Sequence, residues 1–374
     1  MRSAGAAAEH RGLRCPPARK VLNFRRGAAE TARRDGAPEA GIDRAVLPLF
    51  VDRLPARPAA ATASVRGDRM GVVTRRGLLL FIGLGIAWGI PYLFIKVAVG
   101  ELEPAMVVLA RSGLAALLLL PLALFRREVA TVLRRWKPML AYTIVEIVLP
   151  WYFLSSAERS LPSSTAGLLL AAVPLAGVGV AFAMGRPSRL TGTNWIGIAV
   201  GMLGVAGLVG LDVSGSDLPS VLEMGVVVIG YALGPAILSR WMPDLPGVGV
   251  VAVSLAGAAL VYIPVVLVTR SWPTAWPSTE VTVSIIVLAV VCSALAFLLM
   301  VGLVAEIGPV KATTITYVNP AVAILAGVLV LGERVTVWTV VGFALVLCGS
   351  WLVTRRSREA AAPAAPEGVP ARIE

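Results

Sequence analysis

From residue 78 onward the chain alternates long apolar runs with short polar breaks. The runs predict helices over 78–99, 104–124, 138–156, 162–184, 192–211, 221–240, 248–268, 281–304, 309–331 and 335–353. Each is about twenty residues long, enough for a helix to cross a hydrocarbon core of about 30 Å. None alternates apolar and polar residues with the period of two that marks a membrane β-strand. A soluble protein can bury one such run in its core, but not ten. The expected fold class is therefore all-α and membrane-integral, with ten transmembrane helices.

The second five runs repeat the first five. PSSTAGLLLAAVPLAGV at 162–178 and GPVKATTITYVNPAVAI at 308–324 both carry a mid-run proline, Pro174 and Pro320, about 146 positions apart. Trp88-Gly89 with Pro91 has its counterpart in Tyr231-Ala232 with Pro235, and Pro121 in Pro264. A unit of five crossings makes the second copy enter the membrane from the opposite side. Two inverted copies can exchange shapes, which is how many transporters alternate access to a central site.

Composition supports the membrane reading. The chain of 374 residues is 57% hydrophobic and 15% charged, against about 45–50% and about 25% for soluble domains. Its net charge of +12 does not imply nucleic acid, because much of it lies at one end and in short loops. Residues 1–69 hold 14 Lys/Arg against 7 Asp/Glu and lack apolar periodicity, so a disordered basic tail is expected there. Met70 opens MGVVTRRGLLLF, and is expected to be the true start. The alternative is a basic arm that binds anionic lipid. Residues 70–215 and 216–355 are expected to form the two copies, and 356–374 a disordered C-terminal tail.

Loop charge sets orientation. With the first run entering from the cytoplasm, the cytoplasmic loops hold fourteen basic residues and the opposite loops only Arg159, Arg270 and Arg334. Basic residues favour the cytoplasmic side, so both termini are expected there, in the cytoplasmic (inner) membrane. The three cysteines, Cys15, Cys292 and Cys348, form no metal-binding spacing, and the single histidine, His10, lies in the tail. No zinc motif, phosphate loop or nucleophile elbow occurs in the membrane body. No cofactor, metal or catalytic residue is expected, and the driving force is expected to be a gradient.

Residues 78–353 resemble the drug/metabolite transporter superfamily in its ten-helix EamA-domain form. The resemblance rests on AWGIPYLFIK at 87–96, Pro104 with Ala110-Arg111, AEIGPVKATTITYVNP at 305–320 and LGERVTVWTVVGFALVLCG at 331–349. It implies two inverted five-helix repeats around a central cavity, and export or exchange of small metabolites. The first copy departs from the pattern, reading Gly185-Arg186 where the second has Gly332-Glu333.

A charge inside a membrane run costs about 2.5–3.5 kcal/mol on insertion scales and asks for a function. Arg111 lies about 10 Å inside its run by helical rise; it can grip a carboxylate or phosphate through two parallel hydrogen bonds, or form a structural ion pair. Glu146 lies near the middle of the third run, where it either pairs with Arg111 or takes up and releases a proton. Trp88, Tyr92 and Lys96 are spaced to share one helix face, either as a cavity wall or as an interfacial belt with a snorkelling lysine. Pro174 and Pro320 either free backbone carbonyls mid-run to face a cavity or only kink the helices for packing, and Tyr317 and Asn319 could add polar contacts beside Pro320.

The expected function is secondary active transport, mainly export, of small anionic or zwitterionic, amino-acid-like solutes by alternating access. The expected partners are the solute, protons as a candidate coupling ion and the lipid bilayer, with no nucleic acid and the chain acting as monomer or homodimer. The alternatives are an integral-membrane enzyme and a non-transporting scaffold or sensor.

Overall fold

The structure, a computed structural model, describes residues 74–185, 192–207 and 218–357. The expectations for residues 1–69, for a start at Met70, for the first-copy loop beyond Gly185 and for the C-terminal tail beyond Ser357 lie outside the described residues. Ten long helices follow one another: α1 (Arg75–Ala98), α2 (Pro104–Phe125), α3 (Trp136–Ala157), α4 (Ser163–Ala183), α5 (Gly192–Gly207), α6 (Leu218–Trp241), α7 (Gly247–Thr269), α8 (Thr279–Ile307), α9 (Thr314–Leu331) and α10 (Val337–Ser357). No strand occurs among the described residues. Large apolar side chains such as Leu79, Leu117, Leu267 and Leu329 point outward and stay exposed, as lipid-facing surfaces require. We call the end of the bundle where α1 begins the near end and the opposite end the far end.

The packing follows the repeat. α2 lies against its mate α7, and α5 against its mate α10. The contact of α1 with α8 has its equivalent in α6 with α3, and that of α9 with α1 in α4 with α6. With lipid outside, apolar burial gives little drive for association, so close backbone approach does the work. At the α5–α10 crossing Gly197, Gly201 and Gly349 let the two main chains touch.

Local chemistry sets the helix ends. Thr74 caps α1 by accepting from the Gly77 N–H at 3.0 Å, and Ser278 caps α8 by accepting from Val281. Gly185 and Gly332, mates after α4 and α9, take left-handed φ of 70° and 65°, which glycine adopts without a Cβ clash. The cap of α4 comes from the other copy. The Ser163 and Ser164 N–H groups donate to the two Glu333 oxygens at 2.7 and 2.9 Å. This far-end contact makes use of the positive end of a helix dipole.

That cap yields a pH-dependent expectation. Partial burial raises the Glu333 carboxyl pKa, but the hydrogen bonds from Ser164 and Ser163 outweigh it and hold the carboxyl below its usual range. The contribution is present above the ordinary glutamate value of about 4.3 and fades as pH falls through the lowered folded value. Glu333→Ala should cost about 1–2 kcal/mol at neutral pH, less than two full charge-assisted bonds because the carboxylate is partly solvated. Thermal unfolding in detergent should show this gap close below about pH 4.

Candidate functional site

A cavity lies halfway along the bundle, between the two copies. Its walls come from α1 (Trp88, Pro91, Tyr92), α3 (Glu146, Trp151, Leu154), α4 (Gly167, Leu170, Val173), α6 (Tyr231, Pro235), α8 (Cys292, Phe297, Met300) and α9 (Ile315, Thr316, Asn319, Pro320), with Arg111 entering from α2. The sequence mates Trp88 and Tyr231, and Pro91 and Pro235, both reach it.

Breaks in helical regularity shape these walls. α1 is interrupted between Gly89 and Pro91. A π turn widens α3 at Ile144–Val148, and its mate widens α8 at Val290–Leu295. Tight 3₁₀ turns precede Pro174 in α4 and Pro320 in α9. Each break releases backbone groups that need new partners. The Tyr262 hydroxyl donates to the Val148 carbonyl at 2.8 Å, and Ser293 Oγ donates to the Leu288 carbonyl at 2.8 Å.

Ser293 connects this repair to the charge in the cavity. Arg111 Nε donates to Ser293 Oγ at 2.9 Å, and the guanidinium lies 3.7 Å from the Trp151 ring centroid. A cation over an indole face is attracted to the ring quadrupole. One hydrogen bond and one aromatic face thus hold the arginine, and its two terminal nitrogens have no hydrogen-bond acceptor among the described residues.

Glu146 is not its ion-pair partner in this conformation. The Glu146 carboxylate packs against the bare Cα of Gly234 in α6, and its buried Oε2 has no hydrogen-bond partner among the described residues. Any side chain at residue 234 would occupy that oxygen's position. Asn319 also leaves a buried amide oxygen unpartnered. Trp88 meets Phe297 edge to face at 5.7 Å, which gives the cavity an aromatic wall between the two copies.

Three sequence-derived site residues are absent from the lining. Lys96 is tied to the far-end turn, where its Nζ donates to the carbonyls of Glu158 at 2.6 Å and Leu161 at 2.9 Å. It lies four residues beyond Tyr92, about 6 Å further along α1 by helical rise, which carries it past the cavity to that turn. The Tyr317 hydroxyl donates to the Ser350 carbonyl of α10 at 3.2 Å, because the 3₁₀ turn aims it outward. Pro174 only starts the second segment of α4, and its neighbour Val173 reaches the cavity instead. The sequence reading missed Trp151, Tyr231, Phe297 and Ser293. The repeat offset from Trp88 could have found Tyr231, but the others carry no local signal.

Packing differs between the two ends of the cavity. In α4, residues 163–170 are buried throughout, whereas none of residues 176–185 is. Tyr92, Ile95, Leu154, Leu161 and Leu169 close the far side in one apolar cluster.

Ten apolar helices in two inverted sets around a charged, aromatic cavity define a multi-pass membrane carrier. The EamA-like transporter family matches the chain twice, over residues 75–210 and 220–355, and the protein belongs to that family. The match gives it a small-molecule solute as partner and makes it a transporter rather than an enzyme. It is 30% identical over 275 residues to the uncharacterized inner membrane transporter YedA of Escherichia coli K12, covering 71% of this chain and 87% of that one. YedA of strains O6:H1 and O157:H7 matches equally. A solved crystal structure shares the fold with a TM-score of 0.56 at 19% identity, covering 75% of this chain and 98% of the other.

Proposed function

We propose that the protein is a secondary active exporter of small anionic or zwitterionic metabolites, amino-acid-like in form, in the cytoplasmic membrane. The observation that carries this reading is the Arg111 guanidinium in the cavity lining, held by Ser293 and Trp151, with no acceptor for its terminal nitrogens among the described residues. A fork of this kind matches a carboxylate. Glu146, which also lines the cavity, can meet a solute ammonium or carry a proton. The aromatic and apolar walls suit the solute's body.

The mechanism is alternating access by rocking of the two copies about the cavity. The excess of basic residues in the near-end loops favours a cytoplasmic near end, with both termini on that side. In that orientation the packing describes a conformation closed to the outside. Lys96 helps hold it closed, and Pro174 and Pro320 supply the bends. Tyr317 contributes through its contact with α10.

Counterflow in proteoliposomes, with a panel of amino acids and small carboxylates, tests the reading. An anionic or zwitterionic solute should exchange, and lipophilic cations should not. Glu146→Gln should abolish flux driven by a proton gradient. Wild-type gradient-driven flux in that variant would rule out a proton role for Glu146.

A further inference from the structure

A second buried carboxyl lies outside the cavity. Glu158 ends α3 at the far-end turn and is 0% exposed. Neither of its carboxylate oxygens has a hydrogen-bond partner among the described residues. Lys96 does not neutralise it directly, because the ammonium is spent on backbone carbonyls: Glu158 at 2.6 Å, Leu161 at 2.9 Å and Arg159 at 3.4 Å. Arg159 is itself paired with Glu103 at 2.9 Å. An ionised carboxylate left unpaired in such a place is strongly disfavoured, and the group becomes neutral instead.

The repeat supplies the contrast. Ala157-Glu158 of the first copy corresponds to Ala305-Glu306 of the second, at the near end. Glu306 is partly exposed, accepts from Thr74 Oγ1 at 2.7 Å and lies 3.9 Å from Arg76. One mate is sealed and unpartnered; the other is wetted and paired. Inverted copies exchange such environments when access alternates.

We propose that Glu158 is a proton-binding site of the transport cycle, protonated while the far end is closed and ionised when that end opens to water. The charged and titratable groups facing it are Lys96 and Tyr92 on α1, Arg111 on α2, Tyr231 on α6 and Glu333 in the α9–α10 turn. Burial pushes its carboxyl well above the usual range, Lys96 and Arg111 oppose that, and Glu333 adds to it. Opening the turn breaks the Lys96 contacts with the carbonyls and frees the ammonium for the new carboxylate. The proposal rests on alternating access but on no particular solute.

Infrared difference spectra of the reconstituted protein, titrated in pH without solute, test it. A protonated-carboxyl stretch should fade as pH rises, be lost in Glu158→Gln and persist in Glu146→Gln. Lys96→Met should move its midpoint to higher pH and Glu333→Gln to lower pH, so the test survives if Glu158→Gln does not fold. With Cys15 and Cys348 replaced by serine, cavity Cys292 reports opening. Its labelling by an impermeant maleimide from the far side, normalised to unfolded protein at each pH, should rise over the same window. It should stay low and flat in Glu158→Gln. An unchanged protonated-carboxyl band in Glu158→Gln, or a midpoint unmoved in both charge variants, overturns the proposal. Solute counterflow in the same vesicles separates the readings: its absence beside an intact Glu158 titration overturns the solute assignment and leaves the proton site standing.

Discussion

Arg111→Ala should reduce solute counterflow to background while leaving the protein folded. The substitution removes the one cation that the described residues bring to the cavity lining. A hydrogen bond to a charged group contributes about 1.5–3 kcal/mol, so losing even one from a bidentate grip weakens binding by roughly 10- to 150-fold. The fold should tolerate the change because Ser293 keeps its bond to the Leu288 carbonyl. Removing a buried charge also relieves its own desolvation cost. Arg111→Lys separates charge from geometry: lysine keeps the cation but loses the planar fork, and its flux should fall between the two. Counterflow in proteoliposomes, beside a monodisperse size-exclusion profile, checks both variants. Wild-type flux from Arg111→Ala would remove the guanidinium from the solute site.

Gly349→Val should have the largest effect on folding. A Cβ at residue 349 would stand 2.5 Å from the Gly197 carbonyl oxygen and the Gly201 nitrogen, and 2.6 Å from the Gly201 Cα. All three atoms are backbone, so no side chain can swing aside, and α5 and α10 must separate. Overpacking typically costs 1–3 kcal/mol or more, and here it also removes the close approach that holds membrane helices together. The expected result is little monodisperse protein and a markedly lower unfolding temperature in detergent. Gly177→Ala in α4 is the control, because a Cβ there meets nothing within 4 Å. If Gly349→Val unfolds like the wild type, the close α5–α10 crossing does not contribute to the stability of the fold.

The asymmetry between the copies bears on how the carrier selects its solute. Both supply aromatic walls and helix breaks at mated positions, but Arg111 and Glu146 belong to the first copy alone. In the second, Ser254 takes the place of Arg111, and its hydroxyl donates to its own helix at Val250. Ser293 belongs to the mate of the Glu146 π turn, and it orients Arg111. The charge thus comes from one copy, and it is held by an aromatic face of its own copy and a hydroxyl of the other.

The sequence by itself determined the ten helices, their near boundaries and their duplication. An apolar run of about twenty residues is a local property, and lipid leaves a helix as its only outlet unless strands close a barrel. The prolines were legible for the same reason, since each acts on its own turn of backbone. The sequence also picked out Arg111 and Glu146 as charges in need of a reason. It left their relation open, because which helices face each other is decided by contacts between segments far apart in the chain. Only the tertiary structure placed Glu146 against Gly234 and Arg111 over Trp151, and turned Lys96 and Tyr317 away from the cavity. The π turns escaped the sequence because no single residue type demands them; packing against neighbouring helices fixes the extra residue in the turn. Glu158 escaped because a glutamate at a helix end usually lies in water, and only the closed far end buries this one.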